Sequence, residues 1–124
     1  MLPSYVAGAV NGHLKVNQTP KITTDAGALV VFDGQSGFGQ VNGYEAMNEG
    51  IKRAEQFGVA IFGLRNSYHI GRIGHWAEQC AVATLASVHF VNVIGHTPLF
   101  APYGCSQVRL GTNPLACAVS GQGN

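Results

Sequence analysis

The sequence carries little charge. Of its 124 residues, seven are Lys or Arg and six are Asp or Glu, which gives a formal net charge of +1 at pH 7. The basic residues are scattered along the chain, so they form no stripe that could neutralise a run of phosphates. Nucleic acid is therefore not an expected partner.

A long hydrophobic run is also absent. No window approaches the roughly 18 to 20 apolar residues that a membrane helix needs, and even the apolar stretch Val88 to Ile94 contains His89 and Asn92. The first residues, Met1 to Tyr5, lack the basic segment and apolar core of a secretory signal. These features predict a cytoplasmic protein without a membrane partner.

The sequence has few cysteines, and their spacing matches no metal-binding or redox motif. Cys80, Cys105 and Cys117 include no Cys-x-x-Cys pair, which favours reduced, buried thiols over a disulfide framework or a zinc site. A metal site built from His69, His75 and the cysteines is disfavoured, because the two histidines do not have the spacing of a helical metal pair. We expect no metal.

Glycine and apolar residues are plentiful, with 17 glycines and 46% hydrophobic residues. That composition is typical of a compact domain with many tight turns rather than a disordered chain. A chain of this length buries about two thirds of its unfolded surface. The prediction is a single domain over residues 1–124.

Hydrophobic patterning predicts an α/β fold with one mixed sheet and flanking helices. The run from Ala28 to Phe32 is continuous enough for a strand buried on both faces. A helix from Gly39 to Phe57, ended by Gly58, has one apolar face predicted to pack, formed by Val41, Tyr44, Met47, Ile51, Ala54 and Phe57. The remaining predicted elements are helices at 2–10 and 73–85 and strands at 21–24, 59–64, 86–94 and 115–119.

The most suggestive stretch runs from Val59 to Trp76, where an apolar strand ends in a polar turn with Arg65, Asn66, Ser67 and His69. Ligand sites in parallel α/β sheets lie at the carboxyl ends of strands. An imidazole transfers protons near neutral pH, and this predicts a functional His69.

Guanidinium groups near this turn predict a carboxylate site. Arg72, or Arg65, could bind a substrate carboxylate with two parallel hydrogen bonds. The other histidines, His13, His89 and His96, are interpreted as structural.

Two glycine-containing turns give weaker indications of a ligand-binding site. In the loop from Asp33 to Gln40, Gly37 and Gly39 begin a Gly-x-Gly pattern whose third glycine falls one residue late, so a turn and helix start are favoured over a Rossmann pyrophosphate site. Locally, the Gly111-Thr112-Asn113-Pro114 segment is interpreted as an Asn-Pro turn between strands.

Taken together, a set of motifs in order along the whole chain resembles the type-2 malate/L-lactate dehydrogenase family, which includes ureidoglycolate and sulfolactate dehydrogenases and cyclic imino acid reductases. The motifs are Tyr5-Val6, Val31-Phe32-Asp33-Gly34-x-x-Gly37-x-Gly39-Gln40, Ala46-Met47, Gly58-Val59, Asn66-Ser67-x-His69-x-Gly71, Ala101-Pro102-x-Gly104 and Gly111-Thr112-Asn113-Pro114.

The resemblance implies an NAD(P)-dependent oxidoreductase with a non-Rossmann fold and a homodimeric assembly. Hydride would move between nicotinamide and C2 of a small 2-hydroxy or 2-oxo acid, or of an imine. The family's Ser-x-His-x-Gly motif corresponds to Ser67, His69 and Gly71, beside nicotinamide and substrate. Its Gly-Thr-Asn-Pro turn corresponds to the segment Gly111, Thr112, Asn113 and Pro114, near the cofactor.

The chain also departs from the family pattern. Family members are longer and carry an upstream Ser-His-Gly segment, and here Ile94-Gly95 and Ser120 replace a common Thr-Asn pair and a proline. We therefore expect a central portion of a dehydrogenase, whose own activity is an open question. The alternative is a non-catalytic α/β fragment that associates with itself or with other parts of its parent.

Overall fold

A computed structural model describes residues 2–95 and 97–121. It divides into two compact units, Met1–Arg72 and Ile73–Asn124, which are described separately; the single-domain assignment stays a prediction. The elements are α1 (Leu2–Val10), β1 (Lys21–Ala26), β2 (Leu29–Asp33), α2 (Gly39–Phe57), β3 (Ile61–Arg65), α3 (Ile73–Val82), β4 (Ser87–Phe90) and β5 (Leu115–Ala118).

The first unit contains a three-stranded mixed sheet in the order β1-β2-β3. β1 pairs with β2 in antiparallel orientation, as an edge strand. β2 and β3 are parallel, with Asp33 opposite Arg65, and α2 connects them, so the predicted βαβ unit and the α/β class with a mixed sheet are confirmed. Because parallel strands run in the same direction, the chain leaves β2 and β3 at the same edge.

The core of this unit lies on one face of the sheet. Val30 and Phe32 of β2 are buried against Ala46 of α2, whereas Leu29, on the alternate side of the strand, is 41% exposed. The prediction that this strand is buried on both faces is therefore wrong. A continuous apolar run cannot by itself distinguish a strand covered on both sides from one covered on a single side.

The bounds of α2 match the prediction, but its buried face does not. Gly58 ends the helix in the left-handed conformation at φ 80°. Of the predicted apolar face Met47 is buried, but Val41, Tyr44 and Phe57 are exposed. The other buried residues of the helix are Gly39, Asn42, Gly43, Ala46, Gly50 and Arg53. Small residues allow the helix to lie close to the sheet: a Cβ at Gly50 would be 3.1 Å from the Phe62 ring.

Arg53 ties α2 to the turn between β1 and β2. Its Nη1 and Nη2 donate to the two carboxylate oxygens of Asp25 at 2.6 and 2.8 Å, and Nη1 also donates to the Gly27 carbonyl. Its Nε donates to Glu49 one helical turn away at 3.0 Å. A buried guanidinium whose donors are used in this way fixes the hairpin onto the helix.

The second unit consists of α3 packed on an antiparallel pair, β4 and β5, in which Val88 lies opposite Cys117. The strands of the described chain thus form two sheets, where one was expected. Both α3 and β4 are shorter than predicted. Cys80 is buried as expected, but Cys105 and Cys117 are exposed, which corrects the prediction for those two; His96 lies outside the described residues.

No helix within residues 2–95 and 97–121 is both long enough and apolar enough to cross a membrane.

The Arg53 interaction predicts an acid-sensitive hairpin. The hydrogen bond from Arg53 lowers the pKa of Asp25 below its usual 3.8, so the stabilisation is fully present above about pH 4 and is lost as the pH falls through the lower native pKa. We expect Asp25→Asn to reduce stability at about pH 7 and to flatten the loss of stability on acidification. Urea unfolding followed by circular dichroism across this pH range measures both effects.

The matched control is Glu55→Gln, which removes an exposed carboxylate of α2 and should leave the acid dependence as in the unsubstituted protein. An Asp25→Asn protein that loses as much stability on acidification as the unsubstituted protein contradicts the assignment.

Candidate functional site

The loops that follow β2 and β3 are joined by backbone hydrogen bonds. The Gly34 N–H donates to the Arg65 carbonyl at 2.8 Å, and the Ser36 N–H donates to the Asn66 carbonyl at 2.7 Å. The pairing of the parallel strands thus continues past their ends. It holds the two loops side by side at the edge where the sequence predicts chemistry.

Asp33 organises this edge. Its Oδ1 accepts the Gln35 backbone N–H at 2.8 Å and the Asn66 side-chain amide at 2.9 Å. These two hydrogen bonds lower the pKa of Asp33, and Arg65 contributes weakly from 3.9 Å. The carboxylate therefore acts as an acceptor that fixes both loops, a role that differs from the pyrophosphate loop rejected above.

Three non-glycine residues of these loops have left-handed backbones, namely Gln35 at φ 53°, Ser36 at φ 57° and Asn66 at φ 51°. Such conformations are uncommon outside glycine and persist when the surrounding structure holds them. The Ser36 hydroxyl donates to the Asn66 side-chain oxygen at 3.0 Å. The loops are therefore held in defined conformations by side-chain hydrogen bonds.

The Asn42 side chain of α2 holds Ser67 in position from the buried side of the loops. Its side chain is fully buried, and its Nδ2 donates to the Gly34 carbonyl at 2.8 Å and to Ser67 Oγ at 3.1 Å. Its Oδ1 is buried without a hydrogen-bond partner in the described part of the chain. Asn42 was not part of the apolar face predicted from hydrophobic periodicity. The small residues Gly43, Ala46 and Gly50 were the signal that this side of the helix packs against the sheet.

His69 is exposed and is held through its Nδ1. Tyr5 Oη of α1 lies 2.8 Å from that nitrogen, and the Gln40 side-chain amide donates to the same hydroxyl at 2.6 Å. Two elements far apart in sequence thus meet at the imidazole. Tyr5 entered the sequence analysis only through a family motif, and nothing local predicts its contact with His69.

The other predicted residues of the first unit lie at the same edge or near it. Gly71 has a left-handed backbone at φ 78°, and a Cβ there would lie 3.9 Å from the Gln40 side chain. Arg65 and Arg72 are exposed. His13 is also exposed and lies in the turn after α1.

The predicted residues Gly111, Thr112 and Asn113 belong to the second unit. Thr112 and Asn113 are exposed in the segment before β5, and the Pro114 carbonyl accepts the Val91 N–H at 3.2 Å. In the same unit, burial lowers the pKa of His89, whose ring nitrogen is hydrogen-bonded to Ser87 at 2.9 Å. That partner agrees with the structural interpretation of His89.

In each unit, the residues predicted to bind a cofactor are of types that suit an organic ligand. In the first unit, Ser67 supplies a hydroxyl group and Gly71 has no side chain to cover its backbone. In the second unit, Thr112 and Asn113 supply a hydroxyl and a carboxamide group next to Gly111; groups of these types bind amide, ribose and phosphate oxygens. Across residues 2–95 and 97–121, no group of three His, Cys, Asp or Glu side chains could hold a metal ion.

Comparison with known proteins identifies the family. The family model for malate/L-lactate dehydrogenase matches residues 1–124. This chain belongs to that family. The predicted family is therefore confirmed.

Individual relatives agree. Hydroxycarboxylate dehydrogenase B of Escherichia coli O157:H7 is 52% identical over 119 residues, covering 96% of this chain and 32% of that protein. L-lactate dehydrogenase of Cupriavidus necator is 43% identical, covering 95% and 34%. The structure of malate dehydrogenase from Pyrococcus horikoshii OT3 matches with a TM-score of 0.89 at 32% identity, covering 99% of this chain and 34% of that one. The chain thus spans about a third of the length of these relatives.

The packing of Gly39 predicts that a larger residue at this position destabilises the fold. A Cβ on this buried glycine would overlap the backbone carbonyl oxygens of Tyr68 and His69. We expect Gly39→Ala to lower the free energy of unfolding by about 1 to 3 kcal/mol, because backbone must move to accept the methyl group. Denaturant unfolding measures this cost.

Gly63→Ala is the matched control, since a Cβ in the middle of β3 would meet only Val31 at ordinary contact distance, 3.8 Å. Equal stability of the two variants contradicts the close approach of α2 to residues 68 and 69.

Proposed function

We propose that this chain provides part of the active site of an NAD(P)-dependent oxidoreductase that transfers a hydride between nicotinamide and C2 of a small 2-hydroxy or 2-oxo acid. The observation that carries the proposal is His69, an exposed imidazole anchored at Nδ1 by Tyr5, at the carboxyl edge of two parallel strands in a chain of the malate/L-lactate dehydrogenase family. That edge is where ligands bind in parallel α/β sheets.

The residues of the chain have distinct proposed roles. Nicotinamide, when bound, accepts or gives the hydride. His69 either transfers the proton at the substrate oxygen or orients that oxygen, and Arg72 binds the substrate carboxylate. Ser67, Gly71, Gly111, Thr112 and Asn113 hold the dinucleotide.

The substrate class follows from what the relatives have in common. Their names refer to hydroxycarboxylates, L-lactate and malate, and L-lactate and malate both carry a hydroxyl group on the carbon next to a carboxylate. A recognition site for this class needs one group at the C2 oxygen and one cation at the carboxylate, and His69 and Arg72 are of the right chemical types. Malate and lactate are therefore the first substrates to assay, with both NAD and NADP.

A non-catalytic role through association is the second candidate. Several large apolar side chains of the second unit are strongly exposed, including Val82 at 87%, Phe90 at 81% and Ile94 at 82%. Exposed apolar surface of this kind favours association. We propose that a second copy covers it in a homodimer; the cytoplasm is the proposed location.

A chimera tests the catalytic proposal. In it, this chain replaces the matching third of E. coli hydroxycarboxylate dehydrogenase B, and turnover of malate and lactate is followed by nicotinamide absorbance. We expect the chimera to be active and His69→Gln to lower turnover roughly 10²-fold or more, as expected when a group at the reacting oxygen is lost. His13→Gln, at an exposed position in the turn after α1, should leave turnover unchanged.

Two results contradict the proposal: a folded chimera that neither binds NADH or NADPH by fluorescence nor turns over, or full turnover in the His69→Gln form.

Light scattering tests the association. In size-exclusion chromatography with light-scattering detection, we expect the 13.0 kDa chain to be a dimer. Phe90→Ser, which removes an exposed ring, is expected to shift the dimer toward monomer. Thr97→Ser provides a conservative control in the same unit. A monomer contradicts the proposed dimer, whereas the catalytic proposal is tested in the chimera.

A further inference from the structure

The Tyr5 hydroxyl lies between two side chains and has a defined role toward each. Gln40 Nε2 lies 2.6 Å from Tyr5 Oη, and a carboxamide nitrogen can only donate. Tyr5 Oη is therefore the acceptor on that side. Its own proton is left for His69 Nδ1, at 2.8 Å.

The Tyr5 ring is held in place by aromatic contacts. It stacks on Phe38 with a centroid distance of 6.0 Å and an interplanar angle of 21°, and it meets the Tyr68 ring edge-on at 5.6 Å. Packing of this kind restricts the side chain. The remaining freedom is rotation of the hydroxyl proton about the C–O bond, which the Gln40 amide directs toward His69.

The orientation of that proton determines the tautomer of the imidazole. A neutral histidine has one N–H and one acceptor nitrogen. Because Nδ1 accepts the Tyr5 proton, the ring N–H is on Nε2. The nitrogen that the Tyr5 contact leaves available is therefore a donor.

We propose that Tyr5 and Gln40 are positioning residues that hold His69 in the Nε2–H tautomer, so that His69 orients the C2 oxygen of the substrate as a neutral hydrogen-bond donor. The role of His69 toward a substrate rests on the proposed function, whereas its tautomer does not. This choice decides between the two roles left open above for His69.

The tautomer has a chemical consequence. An imidazole with a proton on Nε2 and a hydrogen bond accepted at Nδ1 has no free lone pair for the hydroxyl proton of a 2-hydroxy acid. It can donate a hydrogen bond to a carbonyl oxygen, which holds that oxygen in place and polarises the carbonyl group. His69 is thereby an orienting and polarising group, and it is not the base.

The test is the protonation of the two His69 nitrogens, read from long-range ¹H–¹⁵N correlation spectra of the protein labelled with ¹⁵N-histidine. The spectra are taken at about pH 9, where an ordinary histidine with a pKa of ~6.5 is neutral. The signal among the five histidines is assigned by its loss in His69→Gln. We expect Nε2 to carry the proton in the unsubstituted protein.

Free imidazole already prefers the Nε2–H form, so this result alone does not show that Tyr5 and Gln40 set the tautomer. The decisive variant is therefore Gln40→Glu. A carboxylate at this position can only accept, so Tyr5 would donate to it and would accept from His69 instead. We expect the tautomer to reverse to Nδ1–H. The reversal should persist when Tyr68→Phe is added, since Tyr68 donates to the Ser4 carbonyl and not to His69, and it should disappear when Tyr5→Phe is added.

Three outcomes overturn the proposal: an Nδ1–H tautomer in the unsubstituted protein, no reversal in Gln40→Glu, or a reversal that survives the loss of the Tyr5 hydroxyl. None of these measurements requires turnover or cofactor. Failure of the dehydrogenase proposal in the chimera assay is therefore a separate result from failure of the tautomer assignment.

Discussion

The parallel pairing of β2 with β3 is the constraint on which the candidate site depends. It aligns Asp33 with Arg65 and continues through the hydrogen bond from the Gly34 N–H to the Arg65 carbonyl. Two loops with left-handed residues are thereby placed side by side, and Asp33 is close enough to bind the Asn66 side chain. Without this alignment the polar residues after each strand would not form a common edge.

Helix α2 supports that edge from the buried side. Its small residues let it approach the sheet closely, and Asn42 then reaches both the Gly34 carbonyl and Ser67. At the start of the helix, Gly39 packs against the backbone of residues 68 and 69. One helix therefore fixes the position of Ser67 and of the segment leading to His69, while Arg53 near its other end secures the β1–β2 hairpin.

Local signals predicted much of the fold. The bounds of α2 followed from its periodic pattern and from Gly58, which favours the left-handed backbone that ends a helix. The prediction of which face of α2 is buried was wrong because apolar periodicity ranks residues by hydrophobicity. This helix packs through glycines and alanine and exposes Tyr44. The polar residues at a strand exit made His69 a candidate, and its function stays a prediction. Its link to Tyr5 spans 64 residues and depends on tertiary packing that no short window contains.

The Tyr5 contact also links the sheet edge to a distant part of the chain. β2, α2 and β3 are consecutive, and their packing buries Val30 and Phe32. The hydrogen bond between Tyr5 and His69 closes a segment of 64 residues, whose entropy cost grows only slowly with length but is offset only after α1 has docked. The strand pairing of the sheet involves only residues from Lys21 to Arg65, whereas the anchor of the imidazole comes from α1, so the position of His69 depends on a helix that the sheet itself does not need.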